Sequence, residues 1–122
     1  MTKYPYKASK AWHHSVLLAS DIERVAVDCA VRGEHGLGRR LKQASQSAHR
    51  WLADSHQLES AVGRLDCYRR ARSAVQQVQE DLSVARGLHF IDGGLYDQLA
   101  AQAITVYRLL TDLIRRSLAS TS

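Results

Sequence analysis

Between Arg32 and Arg50 the sequence places Arg32, Arg39, Arg40, Lys42 and Arg50 against the single acid Glu34, a net +4 of the chain's +5. Guanidinium and ammonium groups gathered this way bind phosphates and carboxylates through charge-assisted hydrogen bonds. On a helical wheel at about 100° per residue, Arg39, Lys42, His49 and Arg50 share one arc. Leu37, Leu41, Ala44, Ala48, Trp51 and Leu52 fill the arc opposite, and Arg40 falls beside Trp51 at its edge. A solvated helix face ordinarily mixes both signs, whereas no acid occurs between Gly36 and Ala53. Arg39, Arg40, Lys42, His49 and Arg50 are therefore the candidate nucleic-acid-binding residues. Contacts of this kind hold a polyanion in place without reading its sequence, and they weaken steeply with salt. The competing reading is a solvated face, or one that meets an acidic protein surface.

Other residue types offer less. Arg69, Arg70 and Arg72 form a second basic group, with Arg69 and Arg70 at the surface. Arg72 falls between Leu65, Tyr68 and Val75 on the wheel, at the core boundary, where its donors need partners. An ion pair within the chain or across a subunit boundary is expected there. Trp51 fits either ordinary core or an exposed flank at an interface, so Trp51 and Arg72 are the candidate oligomer contacts. Arg50 and His56 are separated by five residues, a spacing similar to that of the Arg–His element of the HEPN ribonucleases, which are also helical. With thirteen arginines and six histidines in the chain, chance supplies such spacings readily, and Trp51 stands where that element carries a polar residue. Neighbouring side chains on a helix diverge by about 100°, so His13 and His14 do not form a metal pair. No metal site, cofactor motif, Ser–His–Asp spacing or Gly-rich phosphate loop is evident. No enzymatic activity and no cofactor are expected.

The elements that position these residues are helical. Apolar periodicity predicts helices over about residues 7–32, 36–54, 58–86 and 92–118, with no strand alternation. The first uses Trp12, Val16, Ala19, Ile22, Val25, Ala26 and Cys29, and Gly33 to Gly36 breaks it. The third uses Leu58, Val62, Leu65, Tyr68, Ala71, Val75, Val78, Leu82 and Ala85. Asp92 is expected to cap the fourth, which turns Tyr96, Leu99, Ala103, Val106, Tyr107, Leu110, Leu113 and Ile114 inward. Arg115 and Arg116 are placed in its last turn, where cations suit the helix dipole. Four amphipathic helices on short connectors predict an all-α fold, an antiparallel up-down-up-down four-helix bundle. A chain of 122 residues is expected to fold as one domain without staples. Cys29 and Cys67 lack metal-ligand or CxxC spacing and read as buried thiols in a reducing cytosol. Lys3, Lys7 and Lys10 are followed by no signal-peptide core. The longest apolar run, Val16 to Ala19, is too short to span a bilayer, so no membrane role and a cytoplasmic location are expected.

Several segments resemble one family. His35-Gly36-Leu37, then Ser47-Ala48 and Leu52-Ala53-Asp54, look like its GL…S-I-x-x-N-I-A-E-G segment. The run Cys67 to Val75 resembles its fL-x-x-A-R-G-S-L pattern, Gly87 to Asp92 its l-g-y-i-d turn, and Ala11-Trp12 its v-W. The family is that of four-helix bundle proteins related to those encoded in intervening sequences of 23S ribosomal RNA genes. One branch comprises the accessory variability determinant proteins of diversity-generating retroelements. This chain departs from the pattern at Trp51, where the family has Asn, and at Ser55 and Ser73, where it has Gly. The resemblance implies a bundle that assembles into a homopentamer. It also implies, in some members, a basic surface for nucleic acid or a reverse transcriptase partner. The expected function is a non-enzymatic, oligomeric binding or scaffold module that presents its basic surface to RNA or DNA. The alternatives are a structural or protein-interaction module without a nucleic-acid role, or a HEPN-like ribonuclease.

Overall fold

A computed structural model describes the backbone of residues 6–121 and the side chains of residues 8–119. Lys3, Pro5 and the Lys7 side chain lie outside these. Four helices follow in order: α1 (Tyr6–Val31), α2 (His35–His56), α3 (Ala61–Gly87) and α4 (Gly93–Thr121). Each packs against two neighbours, α1 on α2 and α4, α3 on α2 and α4, and the diagonal pairs make no close backbone approach among the described residues. Partners across the α2–α3 and α3–α4 seams run in opposite senses. Along α2, Lys42 meets Glu23 of α1 and Arg40 meets Asp81 of α3, while Trp51 further on meets Arg70. Across α3 and α4, Ser83 meets Tyr96 whereas Arg72 meets Thr111. Connectors of a few residues leave no chain to travel back along helices about 33–43 Å long, so sequential neighbours are antiparallel.

The core is where the four apolar arcs meet. Leu18 and Ile22 of α1, Leu41 and Leu52 of α2, Val75 and Leu82 of α3, and Leu99 and Leu110 of α4 are wholly buried. Each such side chain contributes about 1.5–3 kcal/mol relative to exposure. Tyr68, the largest of the buried side chains, fills the space among them. No described helix is long and apolar enough to cross a membrane.

Two expectations about α3 change. The helix begins at Ala61 because Ser60 caps it, its Oγ accepting from the Gly63 amide at 3.2 Å. Leu58 and Glu59 stay in the connector, where Arg64 donates to their carbonyls at 2.9 and 2.8 Å. Leu58 and Val62, expected inward, are both exposed. Asp92 does cap α4, accepting from the Leu95 amide at 2.7 Å. That helix continues to Thr121, so Arg115 and Arg116 lie before its last turn and both bond Asp112, at 3.0 and 2.9 Å.

One end of the bundle is built from two similar helix stops. After α1, Gly33 takes φ 89°, with Glu34 N–H donating to Cys29 O at 2.8 Å and Gly33 N–H to Ala30 O at 3.0 Å. After α3, His89 takes φ 63°, with Phe90 N–H donating to Ala85 O at 2.9 Å and His89 N–H to Arg86 O at 3.0 Å. Both are Schellman stops, in which a left-handed residue lets two amides turn back onto the last carbonyls. Arg32 ties them together: its Nη1 donates to the His89 carbonyl at 3.2 Å, and its guanidinium lies 6.0 Å from the Phe90 ring centre.

The α1–α2 seam is unusually close at Gly38. A Cβ there would sit 2.8 Å from the Ala26 carbonyl oxygen and 3.3 Å from the Cys29 Cβ. Gly38→Ala should therefore lower stability by about 1–3 kcal/mol through forced separation of the helices. Gly36→Ala, with open space around it, should be neutral or stabilising by up to about 1 kcal/mol. Urea unfolding of the two variants checks the contrast. His89→Gly should raise the unfolding midpoint, worth up to about 1 kcal/mol, because glycine adopts the left-handed conformation without a Cβ clash.

Candidate functional site

The second helix presents three kinds of surface. Its apolar arc faces the core, one flank meets α1, the other meets α3, and Arg39 and Arg50 project between them into solvent. The sequence places no acid on this helix before Asp54, but folding brings acids from its neighbours. Lys42 Nζ lies 3.9 Å from Glu23 Oε1 of α1, with both side chains about half exposed. A pair so hydrated contributes at most about 1 kcal/mol. Arg40 turns the other way. Its Nε lies 3.6 Å from Asp81 Oδ1 of α3, whose side chain is only 4% exposed. Gln77 Nε2 donates to the same oxygen at 3.2 Å, and Asp81 Oδ2 has no hydrogen-bond partner among the described residues.

His49 is half-buried, and burial, followed by the charge of Arg50, pushes its imidazole below the ordinary histidine range. It is neutral at pH 7 and adds no cation to the stripe. Its protonation is resisted more in the folded than the unfolded chain. It therefore contributes stability above the unfolded histidine pKa, and that contribution is lost as pH falls from there through the folded value. Of the five predicted binding residues, Arg39 and Arg50 remain exposed cations with no acid partner among the described residues. Arg39 lines an open hollow of about 320 Å³ over the α1–α2 seam, with Glu23, Val27, His35 and Lys42.

Trp51 is half-buried and packs against the core. The Arg70 guanidinium lies 5.0 Å from its ring centre, and Arg70 Nε donates to Asp66 Oδ2 at 2.9 Å. Arg72 is half-buried as expected, but the described residues of the chain give it no ion pair. It donates from Nη1 to Thr111 Oγ1 at 3.3 Å and lies 5.7 Å from the Tyr107 ring centre, linking α3 to α4. Asp112, the carboxylate next to Thr111, bonds Arg115 and Arg116 instead. Arg69 is exposed, with no acid partner among the described residues.

Sequence reasoning missed the meeting of Trp51 with Arg69 and Arg70. They share an open groove of about 490 Å³ between α2 and α3, with Ser47 and Ser73 on its walls. The wheel position of Trp51 beside Arg40 already marked this flank, but not the helix that would face it. His56 lines a hollow of about 430 Å³ with Ser9, Trp12, Ala53 and Gln57, between the start of α1 and the end of α2, and Arg50 is not among the walls of that hollow. Cys29 and Cys67 are buried thiols whose pKa burial raises, with nearby carboxylates adding to the rise. Among the described residues no three His, Cys, Asp or Glu side chains gather as metal ligands.

Asp81 makes Arg40 a structural residue. Arg40→Met should cost about 1–3 kcal/mol by leaving a buried carboxylate without its counter-ion, the lower part of that range reflecting Arg40's exposure. The double variant Arg40→Met, Asp81→Leu should recover most of the loss. A double-mutant cycle by chemical denaturation reads this directly, and additive effects would mean that the pair is uncoupled.

No family model matches the sequence, and no curated protein matches it. Among solved structures, the fold is similar to that of a protein of unknown function from the S23 ribosomal protein family of Bacteroides thetaiotaomicron. The TM-score is 0.85 at 14% identity, over 89% of this chain and 98% of that one. The chain thus has the four-helix fold of an S23-family protein across nearly its whole length.

Proposed function

We propose that the protein is a non-enzymatic binding module whose α2 face, extended by Arg69 of α3, holds the phosphate backbone of RNA or DNA. The observation that carries this reading is the set Arg39, Arg50 and Arg69, exposed and without acid partners among the described residues. Arg32, Arg40 and Arg72 are by contrast held within the bundle. An arginine without a carboxylate keeps its planar donor fork for a ligand's phosphate. The fold shared with an S23 ribosomal protein family member, together with the sequence resemblance to the same group, supports membership of that family.

Self-association belongs to the same proposal. Val27 and Val31 lie one turn apart on the outer face of α1, and Val31 is 81% exposed. Burying such side chains against another copy removes apolar surface from water. The family resemblance favours a homopentamer. Five copies at +5 each would carry a formal +25, a field that draws polyanions from a distance.

Arg39→Glu with Lys42→Glu and Arg50→Glu should abolish binding to a mixed-sequence RNA while leaving the oligomer intact by light scattering. Wild-type affinity should fall linearly on log–log axes with salt, with a slope of about −0.7 for each single-strand phosphate neutralised. Unchanged binding by the triple variant, or a flat salt response, rejects the reading. Absence of binding even at low salt points instead to an acidic protein partner.

A further inference from the structure

The groove between α2 and α3 contains an aromatic residue, two arginines and two hydroxyls in an arrangement that α2's charge pattern alone does not require. We infer that this groove is a subsite for an unpaired base of single-stranded nucleic acid, with Trp51 and Arg70 as its stacking platform. The inference rests on the nucleic-acid reading above and adds to it a strand class and a position.

Trp51 is held on its inner side by the core, so its ring is fixed before any ligand arrives. Arg70 lies 5.0 Å from the ring centre. Asp66, one turn earlier on α3, accepts from Arg70 Nε at 2.9 Å and pins the guanidinium there. The Arg70 side chain is 56% exposed, so its outer surface is open to the groove. A planar guanidinium backed by an indole is the kind of surface on which unpaired bases stack, through their π faces and the delocalised charge.

The surroundings suit the rest of a nucleotide. Asp66 also lines the groove and is paired with Arg70, which offsets part of its repulsion toward a phosphate. Arg69 stands free at the rim, and Ser47 and Ser73 supply hydroxyls on opposite walls. Their small side chains leave the groove open beside the indole. The groove is shallow and open, about 490 Å³, and would take one face of a base without enclosing it. Base-paired strands keep their bases stacked inside the helix, so only an unpaired base can enter. Phosphate contacts at Arg39 and Arg50 would position the strand, and the groove would add stacking without reading sequence.

The test compares a fluorescently labelled oligothymidylate with an abasic strand of the same length and phosphate count, by anisotropy at low salt. Wild-type protein should bind the oligothymidylate about tenfold more tightly. Trp51→Leu should remove that preference, and Trp51→Phe should retain most of it, with circular dichroism confirming the fold of each. Arg70→Gln, at an exposed position, should also narrow the preference. If wild type holds both strands equally, or if Trp51→Leu keeps the preference, the subsite is overturned while the basic-face reading stands. If wild type binds neither strand, both fall. The wild-type comparison needs no variant, so a poorly folding Trp51→Leu protein does not rescue the proposal.

Discussion

A single core shared by four helices gives every helix two neighbours and one face left over. That constraint governs both the packing and the chemistry of this protein. The apolar arc of α2 is taken up by Leu37, Leu41, Ala44, Ala48 and Leu52, and its two flanks are taken up by α1 and α3. What remains is a narrow outer stripe in which Arg39 and Arg50 stand. The α1 flank closes tightly because Gly38 has no Cβ to hold the Ala26 carbonyl away. Burial drives the helices together, and the smallest residue at the seam determines how near they come.

The same closure redistributes charge. Along α2 the cations look like one basic surface, but each flank borrows an acid from the helix it meets. Glu23 approaches Lys42 across a hydrated gap, and buried Asp81 takes Arg40. These two pairs differ in kind. The first sits in water, where Coulomb attraction is weak. The second involves a carboxylate removed from solvent, whose counter-ion becomes necessary once the site is dry. His49 loses its claim to charge for a related reason, since partial burial beside Arg50 disfavours the imidazolium. The free basic face of α2 is thus smaller than the sequence suggests, and on α3 Arg69 is likewise exposed without an acid partner among the described residues.

Arginines used as cross-braces recur through the molecule. Arg32 joins two helix stops through the His89 carbonyl, Arg64 closes the α2–α3 connector, and Arg72 spans to Thr111. Each has several donors in a fixed plane, which lets one side chain reach backbone carbonyls at a helix end or a hydroxyl on a facing helix. The high arginine count is therefore divided between holding the bundle and facing outward. Composition cannot separate those two uses.

Helix number, order and most inward residues were legible in the sequence because an amphipathic helix announces its buried side through its 3.6-residue period, although Trp12, counted in the apolar line of α1, is exposed. The Asp92 cap was legible for a similar reason: its amide partner lies within one turn. Leu58 misled because it continues the apolar rhythm across a boundary that the Ser60 cap determines, and Val62, in the first turn after that cap, lies exposed. Arg40, Arg72 and Trp51 were placed at the right edge of their helices, but their partners could not be named. Asp81, Thr111 and Arg70 lie on other helices, tens of residues away or across a connector, and no local period records which side of α2 will face α3. The sequence by itself thus determined which face of each helix leaves water, since that depends on local spacing alone. Only the tertiary structure decided which charges stay free, because that depends on the side chains another helix brings within a few ångströms.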